Sequence, residues 1–272
     1  MKDIGYVALV DTDRDELRDR IGEMRHRFYR LARTADPNAR RPGLDWTVHQ
    51  VIAHMLCVAH RYQAIAEGRD FRRASHPREL DQINQDELDA VMAPVPDLMD
   101  QLEALEPVMD AFFDSLPDDY SFEFHCGVMV SGILGQINWL FELVLHGEDI
   151  ARAVGVPWET RERDMLLLLR EGMEVGPAYL SAEISRATNI CMALQIPDAR
   201  PYVMHIHDGI AESRERRSTD QPDVVLKAPA STMTRLLLQR IGPLTATRQG
   251  LRIVGGRRPW KAMKVQSCFE PA

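Results

Sequence analysis

The chain has 272 residues, 45% of them hydrophobic, with a formal net charge of −8 and a pI near 5.6. That is enough apolar material for one large domain or two ordinary ones, and the acidic balance offers no basic face for nucleic acid. Four scattered cysteines, Cys57, Cys126, Cys191 and Cys268, form no CxxC pair, which argues against a zinc ribbon and a disulfide framework and for a reducing compartment. No window approaches the ~20 apolar residues of a membrane span, and the N-terminus has no signal-peptide shape. The expectation is a cytoplasmic protein with a small-molecule substrate, no membrane partner and a monomeric or homodimeric state.

Residues 12–34 open on a capping sequence at Thr12 and Asp13 and then place Leu17, Ile21, Met24, Phe28 and Leu31 at helical spacing. After a loop around Pro37 and residues 40–43, a second helix starts at Thr47. Thr47 and Gln50 stand in capping-box relation, with Trp46 placed to staple onto Val51. That helix runs to about Glu67, where Gly68 stops it. Residues 69–82 are polar and predict a loop. A third helical region covers 83–116, broken near Pro94 and Pro96. Residues 115–119 predict a turn, and the 120s carry no clear period. A fourth helix runs from Ser131 to Val154, closed by Gly155 and Pro157.

Beyond Pro157 the pattern predicts helix through 165–173 and again across 177–194. From Pro197 it changes. Residues 202–207, 222–227 and 251–256 read as strands, and Ser231 as the cap of a short helix. The predicted fold class is therefore mainly α with an α+β C-terminal part. A four-helix bundle occupies 1–159, and a small α+β domain with leading helices occupies 160–272.

The polar residues that break the apolar pattern carry the functional signal. Glu142 lies between Trp139-Leu140-Phe141 and Leu143-Val144-Leu145, and an ionised carboxylate is costly to bury unpaired. His146 follows at i+4 on the same helix face. His54 interrupts a second apolar helix, and two bundle helices can bring it against Glu142 and His146. Spacing alone leaves three readings open: a metal site in a bundle core, an intrahelical Glu–His hydrogen bond, and a buried histidine satisfied by backbone. Asp149 shares the face and could hold an imidazole N–H, or stand as a surface acid near Arg152. His125 is either a fourth ligand or a turn residue. His49 and His60 point elsewhere at about 100° per residue. His205 and His207 share one side of a strand, a metal-capable spacing or a solvated edge.

Two segments bear a family resemblance. WTVHQVIAHML at 46–56 resembles the W-[ST]-x-x-[DE]-[LV]-x-x-H-[LI] segment of the DinB-like superfamily. ELVLHGEDIARAVG at 142–155 resembles its E-x-x-x-H-x-x-D-[LIV]-x-x-A-x-G segment. The chain is especially similar to the mycothiol-dependent maleylpyruvate isomerase branch, to which LDQINQDEL at 80–88 adds a weaker match. Residues 197–265 resemble the sterol-carrier-like domain often fused to it. One departure is visible: Gln50 stands where the first motif has an acid.

The resemblance implies a divalent metal on His54, Glu142 and His146, and a low-molecular-weight thiol of mycothiol type as cofactor. Zinc is the first choice, with nickel and iron also suited to a His₂/carboxylate set. No catalytic residue is expected beyond the metal centre. Such a centre would deprotonate a thiol or polarise a carbonyl, allowing thiol transfer or cis–trans isomerisation of an enoyl acid. Arg69, Arg72, Arg73 and Arg78, after the first motif, are candidates to grip the thiol or an acidic substrate. Arg252 and Arg257 join them if the second domain folds over the metal mouth. Two alternatives stand beside this reading: a thiol-independent metal hydrolase, lyase or cyclase, and a non-enzymatic carrier of an apolar ligand.

Overall fold

A computed structural model describes residues 7–117 and 119–270. Residues 1–6 of the N-terminal segment read above as having no signal-peptide shape lie outside this range. The chain divides into two compact units, residues 13–160 and residues 161–272 joined by 1–12. The sequence reading placed the leading segment with the bundle. Its described part instead hydrogen-bonds into the second unit, where Arg200 Nη1 donates to Ala8 O and Arg170 Nη1 to Val10 O.

The first unit is helical. α1 (Arg14–Ala32) is capped by Asp13, whose side chain accepts from the backbone of Glu16. α2 (Val48–Ala66) begins with the predicted capping box: Gln50 N donates to Thr47 Oγ1 at 3.2 Å, and Thr47 N to Gln50 Oε1 at 2.9 Å. The long third region splits at Pro94 into α3 (Leu80–Val91) and α4 (Val95–Ser115), because proline cannot continue the first helix and is well tolerated at the start of the second. α3 starts inside the stretch expected to be loop. α5 (Gly132–Val154) is capped by Ser131 and ends at Gly155, whose φ of 72° is the left-handed geometry glycine adopts without strain.

The unreadable 120s form a two-stranded hairpin, β1 (Ser121–Glu123) with β2 (Met129–Ser131), closed over His125–Gly127. Strands this short carry too few residues to show a period. α1 packs against α5, and α2 against α4 and α5. Tyr62 pins α2 to α5 by donating to Gly135 O at 3.0 Å and Asn138 Oδ1 at 2.6 Å. Arg25 holds α1 to α4 through two hydrogen bonds to Asp110.

The second unit carries α6 (Glu162–Val175), α7 (Ala182–Ser185), β3 (Ile190–Gln195), β4 (Tyr202–His207), β5 (Ile210–Glu215), β6 (Val224–Lys227), α8 (Ala230–Leu237), α9 (Pro243–Arg248), β7 (Arg252–Gly255) and α10 (Ala262–Val265). The sheet order is β5-β4-β3-β6-β7, with β3 and β6 parallel and the other pairs antiparallel. The helix expected across 177–194 is a correction: its end is β3, the central strand. Ile190, Met192, Ala193 and Leu194 are all buried, and a strand covered on both faces reads as an apolar run that period alone cannot separate from helix. β5 was not anticipated. It follows β4 through Asp208-Gly209, both at positive φ as a type I′ hairpin requires. Ser231 does not cap α8. It lies within the first turn, where its backbone N–H and hydroxyl both engage the Glu162 carboxylate. No described helix is long and apolar enough to cross a membrane.

Candidate metal centre

The capping box sets where α2 begins, and so places His54 on the helix face turned inward; its ring is 7% exposed. On α5 the i, i+4 spacing stacks Glu142 and His146 on one face. The structure brings the three together. Glu142 Oε2 lies 3.1 Å from His146 Nε2 and 3.7 Å from His54 Nε2. The two imidazoles meet edge to face with centroids 4.9 Å apart. One ligating atom from each residue lies within 4.8 Å of the other two.

Burial opposes the charge on Glu142, but the two imidazoles outweigh it and hold the acid well below the usual carboxylate range. Burial likewise opposes a charge on His146. Asp149 and Glu142 overcome it and raise its pKa to about 9. His54 moves the other way, lowered chiefly by burial. Without a metal, therefore, a proton on His146 balances the carboxylate.

These residues fit a divalent cation. Donor atoms about 2 Å from a zinc ion stand roughly 3–3.5 Å apart, close to the 3.1 Å and 3.7 Å between Glu142 and the two imidazoles. The Asp149 and Glu142 carboxylates that raise the His146 pKa favour positive charge at this place. His54 Nδ1 is buried with no hydrogen-bond partner among the described residues, so nothing else orients that ring by hydrogen bonding. Glu142 and His146 are each 15% exposed, more than the 7% of His54.

Asp149 is buried at 1% exposure, with Oδ2 3.3 Å from His146 Nδ1. The contact is within ion-pair reach but poorly aligned as a hydrogen bond. Arg152 takes Glu148 at 2.6 Å. Asp149 is clamped by Arg41 from the α1–α2 loop. Sequence reading missed Arg41, because nothing local distinguishes it within a loop of arginines and a proline. It also gave Trp46 only a staple role, whereas the indole packs on the His54 ring at 4.9 Å between centroids.

The remaining candidates fall elsewhere. His125 is not a fourth ligand: among the described residues the group able to hold an ion is His54, Glu142 and His146, and His125 Nδ1 accepts from Ala74 N at 3.1 Å. His49 Nε2 is 2.6 Å from Ala93 O. His205 and His207 sit 4.3 Å apart and engage Asn189, Asp208 and Glu212, without forming such a group. Arg69 is paired with Glu67 and Arg72 with Asp86, both on exposed surface. Arg73 pairs with Asp70 and lies over the Phe71 ring. In the second unit Arg252 donates to Thr247 O and Arg257 to Gln221 Oε1.

Residues 18–151 match the family model described as the mycothiol maleylpyruvate isomerase N-terminal domain. The crystal structure of a mycothiol-dependent maleylpyruvate isomerase superposes with a TM-score of 0.56 at 15% identity, covering 89% of this chain and 95% of that one. A histidine-to-alanine mutant of a mycothiol-dependent maleylpyruvate isomerase aligns equally, at 14% identity. Comparison with curated proteins finds no match. At these identities the maleylpyruvate isomerase likeness shows a shared fold, a helical N-terminal domain followed by a small α+β domain. Both motifs, 46–56 and 142–155, begin within the matched domain, and Gln50 in the first still completes its capping box.

Proposed function

We propose that this chain is a metal-dependent enzyme that uses a low-molecular-weight thiol of mycothiol type to transfer or isomerise a small electrophilic or enoyl-acid substrate. One observation carries the reading: a carboxylate and two imidazole nitrogens from α2 and α5 converge within 4.8 Å, inside the domain that matches this family. His54, Glu142 and His146 would hold the metal, with zinc favoured and nickel or iron also suited by the donor set. When bound, such an ion supplies Lewis acidity, which stabilises a thiolate near neutral pH or polarises a carbonyl.

The chain's own residues do the rest. Asp149, held by Arg41, keeps the His146 ring in place. Trp46 covers the His54 ring and keeps that side of the centre dry. Arg69 and Arg72 remain candidates to grip a thiol, weakened by their existing ion pairs. Arg252 and Arg257 remain candidates on charge alone. The second unit is proposed to be sterol-carrier-like, and the protein to be cytoplasmic.

The thiol-independent alternative, a metal hydrolase, lyase or cyclase, draws on the amide at Gln50 where the motif has an acid. Two measurements separate these readings. Metal analysis of the protein purified without added ions should show one divalent ion per chain, lost in His54→Ala. Millimolar thiol should then perturb the visible spectrum of the cobalt-substituted protein. Metal content and activity both unchanged in His54→Ala would overturn the metal-dependent readings together. A spectrum indifferent to thiols would favour the alternative.

A further inference from the structure

His125 carries a buried donor that the candidate centre does not use. The residue is 6% exposed, and its Nδ1 accepts the backbone N–H of Ala74 at 3.1 Å. Burial, with help from nearby guanidinium groups, pushes its pKa down to about 3, so the ring is neutral. A neutral imidazole that accepts at Nδ1 must carry its proton on Nε2. That Nε2–H has no acceptor among the described residues. A buried, unanswered donor is costly, and native structures rarely keep one without a water or ligand to fill it.

The surroundings indicate what fills it. Tyr62 lies two helical turns beyond His54 on α2, and its hydroxyl bonds Asn138, one turn before Glu142 on α5. Phe124 stacks on Tyr62 at 6.0 Å, and His125 meets Phe124 edge-on at 4.9 Å. His125 thus belongs to the next layer of the same α2–α5 seam. Phe71 also stands perpendicular to the ring at 5.8 Å. Phe71 and Phe124 are both partly exposed, so two aromatic faces flank the donor. The guanidiniums of Arg61 and Arg73 and the Glu142 carboxylate all act on this position, and the two guanidiniums are already paired, with Glu87 and Asp70. A buried N–H donor beside two partly exposed aromatic rings suits a strong acceptor oxygen on a flat, unsaturated body, such as a conjugated carboxylate, better than a lone water.

We propose that His125 Nε2–H is a binding donor for the carboxylate of a small unsaturated acid seated beside the candidate metal centre. The inference takes from the function proposed above only what reacts there; the binding itself needs no metal.

The test uses the full chain labelled with ¹⁵N-histidine, in zinc-free and zinc-loaded forms, titrated with sodium maleate. The ring signals of His125 should report the Nε2–H tautomer and shift as maleate is added. His125→Phe, which keeps a flat ring but no donor, should weaken maleate binding about tenfold or more, as expected for one hydrogen bond to a charged group. His125→Gln, which restores a donor, should recover part of the loss, with zinc content unchanged in every form. An Nδ1–H tautomer, unmoved His125 signals, or equal maleate affinity in His125→Phe would overturn the proposal and leave a bound water as the occupant. If His125→Phe does not fold, the wild-type signals and His125→Gln still decide. A response at His125 in a protein that binds no zinc would uphold this site while removing the metal-dependent function.

Discussion

Asp149 and His146 lie one turn apart on α5, with Asp149 Oδ2 3.3 Å from His146 Nδ1. The same carboxylate is clamped by Arg41, so a cation in a loop, a buried acid and an imidazole form one chain of contacts. Partners that orient a ligating histidine typically carry about 10- to 100-fold in metal affinity. Asp149→Asn and Arg41→Ala are each expected to weaken zinc binding by about that factor, measured by competition with a chromophoric chelator. Arg41→Lys should fall between Arg41→Ala and the wild type, because it keeps the charge and loses the planar fork. Unchanged affinity in all three would show that Arg41 and Asp149 serve packing alone.

The titration of His146 sets the alkaline behaviour of the metal-free protein. Its folded pKa of about 9 lies above the unfolded value of about 6.5. A raised pKa contributes stability that is complete below about pH 6.5 and lost as pH rises through about 9. The lowered values of Glu142 and His54 act on the other side, with stability lost on acidification. The melting temperature of metal-free protein should therefore decline between about pH 6.5 and 9, and the zinc-loaded protein should not share that decline. Zinc binding near neutral pH should release about one proton, measured by calorimetry in buffers of different ionisation enthalpy.

Gly147, next to His146, is a site of close approach. A Cβ there would fall 2.1 Å from Trp158 Cζ2. The indole cannot easily retreat, since Nε1 donates to Val144 O at 3.0 Å and Arg27 lies over the ring at 4.7 Å. Gly147→Ala is expected to cost about 1–3 kcal/mol from overpacking, exceeding the gain of about 1 kcal/mol in helix propensity. Urea denaturation of the metal-free variant gives the number, and a stabilised variant would refute the packing argument.

Arg61 is buried at 5% exposure and donates twice to Glu87 and once to Asn84. Removing one partner of a buried pair leaves the other charge uncompensated. Glu87 is 24% exposed, so water relieves part of the penalty. Glu87→Leu should destabilise by about 2–3 kcal/mol, and adding Arg61→Met to it should recover much of that loss. Chemical denaturation of the four-member cycle separates the pair's coupling from lost packing.

What lay within a turn or two of chain was legible beforehand. The capping box at Thr47 and Gln50, the break at Pro94, the left-handed stop at Gly155 and the shared face of Glu142 and His146 all follow from backbone hydrogen bonding and the 3.6-residue period, which a local sequence encodes. The meeting of His54 with that face required α2 to pack on α5. The clamp on Asp149 required Arg41, 108 residues earlier in the chain. The hydrogen bond that holds the His125 ring comes from Ala74, 51 residues away. β3 could be told from helix only once β4 and β6 had paired with it. Those contacts arise from loop closure and the packing of distant apolar surfaces, and neither leaves a periodic mark in the residues that take part.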